Sequence, residues 1–333
     1  MAAFQPKKIL FIRWKCIGDV VQTLPAWSVL RSAFPAAHMT FMTSAEHQGL
    51  VNMFPGVDAV LAVDRHGLFS LSPSRLFKSW RTLWRSSVGA SFDLVVDMQG
   101  YGETALITWL SRAKQRWGTL YKPSRKYAYT AAVPRNDSGH AADAFLEVLT
   151  CNGLTVTPAA CLQVPQADVE NAKKLLTSLG IKSGAPLAYL HPLTSGAHKN
   201  WPLDRFAQLA KHIQDSGWQV VIGGGPQDRE RLRNSPLANF PLARGQSMST
   251  SIGLVSLAQL VIGGDTGLIH VAQAAGPRVL ALLREPTLER FHPYQHPDWA
   301  IGQGEIAELP VDKVIRAFDQ ASAELVPVAG RQS

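Results

Sequence analysis

Cysteine is scarce in this chain of 333 residues. Cys16, Cys151 and Cys161 are an odd set of three with no C-x-x-C pair, which argues against a disulfide framework and a zinc site and marks the thiols as reduced and incidental. Charge is thin as well, at 17% of residues against 46% hydrophobic, a composition that excludes disorder. Long apolar runs are missing: residues 9–12 and 279–283 fall far short of the roughly 20 needed to cross a bilayer. The basic pair Lys7-Lys8 is followed by a short strand-like run and then charges, not by an h-region and a small-residue cleavage site, so a cytoplasmic chain is expected. Neither G-x-G-x-x-G nor G-x-x-x-x-G-K-[ST] occurs, and Gly223-Gly224-Gly225-Pro226 does not satisfy the first of these. There is no Asp-x-Asp pair and no convincing His/Glu metal spacing, so no metal site is expected.

What is present begins with a net charge of +8, which calls for acidic partners such as nucleic acid, anionic lipid or phosphorylated small molecules. The charge is uneven. Residues 1–165 hold 17 Lys and Arg against 10 Asp and Glu, a net of +7, whereas residues 166–333 hold 16 against 15, a net of +1. Short β-rich runs alternate with helical patterns throughout, the sign of α/β architecture with parallel sheets. Strands are predicted at residues 8–13, 38–43, 59–63 and 92–97, with helices at 20–33, 74–87, 103–113 and 140–151. Residues 153–165 read as a linker. Beyond it come a helix at 168–179, strands at 187–191, 219–222, 260–262 and 278–283, and helices at 203–216, 251–258, 268–275 and 311–323. Two α/β domains, 1–160 and 161–333, with their sheets facing across a cleft, follow from this pattern.

Three strand ends carry candidate chemistry. After the first strand, Gly18-Asp19 opens a helix, so Asp19 lies at the carboxyl edge of a parallel sheet, where open α/β folds place ligands. There it either accepts a proton from a substrate hydroxyl or caps its own helix. A second strand runs into a loop with Thr194, Ser195 and Lys199, which enters a helix through Pro202. Those three side chains suit phosphate oxygens; alternatively Lys199 is a solvated surface lysine, with His191 and His198 as hydrogen-bonded bystanders. The third strand end is Gly263-Gly264-Asp265-Thr266-Gly267, where a helix start offers free N–H groups to an anion and His270 lies on the same face as Thr266. The alternative is a plain strand, tight turn and capped helix. Separately, Arg75, Lys78, Arg81 and Arg85 recur at helical spacing among Leu76, Phe77, Trp80, Leu83 and Trp84, which suits either an anionic interface or a surface helix packing its tryptophans inward. From Arg65 to Lys126 there are 11 basic residues and three acids.

Together these segments resemble the lipopolysaccharide heptosyltransferases of glycosyltransferase family nine. The resemblance rests on the Gly18-Asp19 and Thr23-Leu24-Pro25 opening, on the strand and turn ending Asp97-Met98-Gln99-Gly100, on Lys199-Asn200-Trp201-Pro202, and on Gly264-Asp265-Thr266-Gly267 with His270. It implies a GT-B architecture of two Rossmann-like domains, the first for the acceptor and the second for the nucleotide-sugar donor. It further implies inverting, metal-independent transfer of heptose from ADP-heptose to the Kdo-containing inner core of lipid A, without another cofactor. Carried over, Asp19 is the general base, and Lys199, Thr194, Ser195, Thr266 and Gly267 stabilise the departing ADP. Asp265 and His270 position the donor, and Gly18, Gln99, Arg75, Lys78, Arg81 and Arg85 face the acceptor. The partners so implied are a nucleotide sugar, a phosphorylated glycolipid and the cytoplasmic face of the inner membrane, with no nucleic acid. Two departures stand out. Arg284-Glu285-Pro286-Thr287 replaces the family's usual Gly-Pro-Thr turn, and Arg13-Trp14-Lys15-Cys16 replaces its small Ser-rich turn. Competing readings are a relative using another sugar or acceptor, and a non-catalytic nucleotide-binding protein at the membrane surface.

Overall fold

A computed structural model describes residues 4–64, 72, 74, 81, 89–156 and 161–325. The chain divides into two compact units, Met1–Cys161 and Leu162–Ser333. In the first, strands β1 (Lys8–Ile12), β2 (His38–Ser44), β3 (Ala59–Val63), β4 (Leu94–Asp97), β5 (Gln115–Leu120) and β6 (Ala131–Pro134) form one sheet in the order β3-β2-β1-β4-β5-β6. All its pairings are parallel. Central strands of such a sheet are covered on both faces, so β1 and β4 are near-continuous apolar runs, with Ile9 to Ile12 and Leu94 to Asp97 buried. Outside β1, the helix Leu24–Ala33 buries Trp27 among Phe11, Phe41 and Phe54, with ring centroids 5.6, 5.5 and 6.4 Å away.

The second unit repeats the plan. Strands β7 (Leu187–His191), β8 (Gln219–Gly224), β9 (Leu242–Arg244), β10 (Leu260–Gly264), β11 (Arg278–Leu283) and β12 (Ala300–Gly302) run in the order β12-β11-β10-β7-β8-β9, again all parallel. Renumbered within the unit, this is the same order as in the first. Helix Leu203–Asp215 buries Phe206, Leu209, Ala210 and Ile213, and helix Val311–Leu325 buries Val314, Phe318 and Ala321, the spacing of an amphipathic helix on a sheet. Trp218 and Phe318 meet edge to face between them, at 5.6 Å.

In both units the strand order reverses once, between β1 and β4 in the first and between β7 and β10 in the second. Loops leaving the carboxyl ends of two such neighbours diverge, and the crevice between them is where doubly wound sheets bind ligands. Each sheet has one such point. Among the described residues no helix is long and apolar enough to cross a membrane.

Candidate functional site

At the switch point of the first unit, β1 runs into Arg13, which is buried at 4% exposure. Its guanidinium donates to the Met98 carbonyl at 2.7 Å, pairs with the Asp19 carboxylate at 2.6 Å and lies 5.0 Å from the centre of the Phe145 ring. Cys16, with φ at +59°, makes the N-cap of the short helix Ile17–Val21, so Asp19 sits inside the first turn and does not cap it. The capping alternative for Asp19 is thereby set aside. Its side chain is 34% exposed, held from behind by Arg13 and open to solvent on the other side. Gly18, one residue before it, is half-buried.

The facing loop comes from β4. Asp97 is fully buried, and its Oδ1 accepts N–H bonds from Gln99 and Gly100, each at 2.9 Å, while Oδ2 accepts the Tyr129 hydroxyl at 2.8 Å. Burial raises the Asp97 pKa against the pull of those donors, and burial beside Asp97 raises that of Tyr129. Gly100 has φ +64° and leaves no room for a side chain, since a Cβ would fall 2.3 Å from the Thr119 carbonyl oxygen. Gln99, expected toward the acceptor, is fully buried, and its Oε1 accepts the N–H groups of Trp14 and Lys15 at 3.3 and 3.2 Å. It ties the two loops of the switch point together. Of the expected acceptor cations, Arg81 is exposed, and Arg75, Lys78 and Arg85 lie outside the described residues.

In the second unit the loops after β7 and β10 meet. Lys199 Nζ lies 2.6 Å from Asp265 Oδ2, with the two side chains 28% and 11% exposed. Thr194 N–H donates to Asn200 Oδ1 at 2.8 Å, and a Cβ on Gly264 would come 2.9 Å from Thr194 Cγ2 and 3.1 Å from the Lys199 carbonyl oxygen. Only glycine lets the loops approach so closely. Trp201 fixes the base of the first loop, buried against Phe206 at 4.9 Å and donating Nε1–H to the Leu309 carbonyl at 2.8 Å. Thr266 is the N-cap of helix Gly267–Ala275, yet its side chain makes no capping bond and its Oγ1 is buried without a partner among the described residues. No side chain caps the helix start; of its first turn the Ile269 N–H bonds to the Thr266 carbonyl at 3.2 Å, and an uncapped start of this kind suits an anion. Thr194, Lys199, Asp265, Thr266 and Gly267 are brought together here. Ser195 is exposed farther along its loop, and His270 is buried one turn into the helix, 6.3 Å from the Phe291 ring.

His191 is no hydrogen-bonded bystander. Its Nδ1 is buried without a partner among the described residues, and burial pulls its pKa down to about 4 although the Asp228 carboxylate works the other way. It stacks parallel to Tyr189 at 6.5 Å, and Asp228 Oδ2 receives the Gly225 N–H at 2.9 Å. Among the described residues no group of three or more His, Cys, Asp or Glu is placed to hold a metal ion.

Two doubly wound units of identical strand order, each presenting polar loops at its switch point, are the GT-B architecture. The chain belongs to glycosyltransferase family 9 (heptosyltransferase), which matches residues 80–317. It is 22% identical over 330 residues to the lipopolysaccharide core heptosyltransferase OpsX of Haemophilus influenzae, covering 96% of this chain and 89% of that protein. Lipopolysaccharide heptosyltransferase 1 of Escherichia coli is 24% identical over 275 residues, 80% of this chain and 84% of its own. Among solved structures, a family 9 glycosyltransferase from Veillonella parvula superposes with a TM-score of 0.84 at 22% identity, over 96% of this chain and 97% of that one. The E. coli heptosyltransferase WaaC, solved with ADP-2-deoxy-2-fluoro heptose, gives 0.74 at 19% identity over 94% and 99%.

Proposed function

We propose that this enzyme transfers heptose from ADP-heptose to the Kdo-bearing inner core of lipopolysaccharide, with inversion and without a metal, the first unit holding the acceptor and the second the donor. The observation that carries the reading is the Lys199–Asp265 pair beside the uncapped helix start at Thr266-Gly267. A departing nucleoside diphosphate needs positive charge at its oxygens, and a lysine ammonium with helix N–H groups supplies it. In this reading Thr194, Ser195 and the Thr266 hydroxyl add donors to the phosphates, and the donor draws Lys199 away from Asp265, which with His270 positions the sugar. Asp19 takes the proton of the acceptor hydroxyl as its oxygen bonds to the anomeric carbon. The bond from that carbon to the diphosphate oxygen breaks, and its electron pair leaves with ADP.

Support comes from the names of the relatives and from the solvent-open face of Asp19 at its switch point. The +7 excess in residues 1–165 suits a phosphorylated glycolipid at the cytoplasmic face of the inner membrane, and the near-neutral remainder suits one nucleotide sugar. The test is transfer from ADP-heptose to heptose-free Kdo-lipid A, read by mass spectrometry as a mass gain of one heptose. Absence of the product with an intact donor rejects the reading.

A second reading, another nucleotide sugar, is favoured by the segment after β11. There Arg284 enters the turn Glu285–Thr287 with its Nε buried and without a partner, and Phe291 reaches His270. Calorimetry with a panel of nucleotide sugars separates the two; a UDP-sugar bound in preference to ADP-heptose selects the second.

A further inference from the structure

Four successive strands of the first sheet, β1, β4, β5 and β6, each end in a residue of one continuous row. Lys15 follows β1, and its ammonium lies 5.1 Å from the centre of the Tyr101 ring, which follows β4. Tyr101 meets Tyr121, after β5, edge to face at 5.1 Å, and the Arg135 guanidinium, after β6, lies 4.1 Å from the Tyr121 centroid. The row crosses three strand spacings, about 14 Å, which is wide enough for linked sugar rings.

The row is built on a fixed base. Tyr121 packs against the bare face of Gly100, where a Cβ would come within 2.9 Å of its ring. The Gly100 carbonyl is pinned by Arg125 Nη1 at 2.7 Å, and the Tyr101 N–H is held by Thr104 Oγ1 at 3.0 Å. A cation over a tyrosine face is held there by the ring itself. Arg135 gives its Nε to Asp137 at 2.5 Å, which leaves its two terminal nitrogens for a ligand. Lys15 is half-buried, with the ring as its neighbour and no acid paired with it among the described residues.

We infer that Lys15, Tyr101, Tyr121 and Arg135 form a binding platform for an acceptor sugar carrying an anionic group, a carboxylate or a phosphate. The inference rests on the acceptor role proposed for the first unit and names residues that recognise that substrate. Lys15 and Arg135 supply charge-assisted donors at the two ends, and the tyrosines supply ring surface and hydroxyls between them.

The test uses the full chain carrying Asp19→Asn, so that binding is read without turnover, and NMR titration with three probes. These are the methyl glycoside of Kdo for a carboxylate, glucose 6-phosphate for a phosphate, and methyl glucoside as the neutral sugar. The platform predicts binding of an anionic probe in preference to the neutral one, weakened about tenfold by Lys15→Ser and by Arg135→Ser, the scale of one charge-assisted hydrogen bond. Tyr101→Phe, which keeps the ring under Lys15, should lose much less. The better of the two anionic probes identifies the group. Where a serine variant fails to fold, Lys15→Gln and Arg135→Gln keep the stem on the ring and replace it. Equal binding of anionic and neutral sugars, or anionic binding unchanged in both charge variants, overturns the platform. Failure of the transfer reading shows elsewhere, as absence of heptose transfer from ADP-heptose to Kdo-lipid A by the wild-type chain, so the two outcomes are separable.

Discussion

The Arg13–Asp19 pair makes Asp19→Asn a test of stability as well as of chemistry. Arg13 is 5% exposed and its counter-charge is Asp19, so the substitution leaves a guanidinium buried with only neutral acceptors. Removing one partner of a fully buried pair costs about 3–5 kcal/mol. Here the cost is smaller, because Asp19 is 34% exposed and the new amide oxygen still accepts the Arg13 N–H. A loss of about 2 kcal/mol follows, equivalent to a fall in Tm of about 4–8 °C for a unit of this size. Differential scanning calorimetry reads it, and the double variant checks the cause: in an Arg13→Met background, Asp19→Asn should cost almost nothing, a coupling of at least about 1 kcal/mol. An unchanged melting temperature, or additive losses in the double variant, would refute the claim that the pair holds this loop.

Three other substitutions probe the two switch points. Lys199→Ala should lower kcat/KM for the nucleotide sugar by about 100-fold or more, as loss of a charge on the leaving group does, and steady-state kinetics with an unchanged value would contradict that role. Gly100→Ala should cost about 3 kcal/mol or more, because the position combines a positive φ with a backbone oxygen 2.3 Å from the new Cβ, and a urea melt at wild-type position would contradict the geometry. His191, its pKa held down to about 4 by burial, gives the fold stability that is full above the unfolded value near 6.5 and lost as pH falls through about 4. Up to about 3 kcal/mol is at stake, so melts across that window should fall less steeply in His191→Asn than in the wild type.

The central strands were legible in the sequence because burial on both faces makes them apolar runs; residues 187–191 were read with the bounds the structure gives them. Four outer strands, β5, β6, β9 and β12, were not, although the edge strand β3 was read at residues 59–63. β9 (Leu-Ala-Arg) and β12 (Ala-Ile-Gly) have three residues each, and β5 opens Gln-Arg and carries Gly118, so none has a pattern to read. The predicted helix at 20–33 is two helices, Ile17–Val21 and Leu24–Ala33, broken around Gln22 and Thr23 ahead of Pro25. At the site, Asp19 and Asp265 stand out in the sequence because each follows a glycine in the loop after a strand, and Lys199 because it is the cation of the loop after β7. Arg13 was read only as a departure from the family turn, since what defines it, the Met98 carbonyl and the Phe145 ring, lies 85 and more residues away. The bracing role of Gln99 was out of reach for the same reason: its partners, the Trp14 and Lys15 N–H groups, lie 85 and 84 residues away.

The central claim is that Asp19 takes the acceptor proton. Single-turnover transfer from ADP-heptose to Kdo-lipid A, compared between wild type and Asp19→Asn below the melting temperature of both, tests it most directly, with donor affinity measured alongside. The account predicts a fall of about 100-fold to 10,000-fold in the rate of transfer, with the affinity for ADP-heptose unchanged. Transfer at a near-normal rate by the Asp19→Asn enzyme would contradict it.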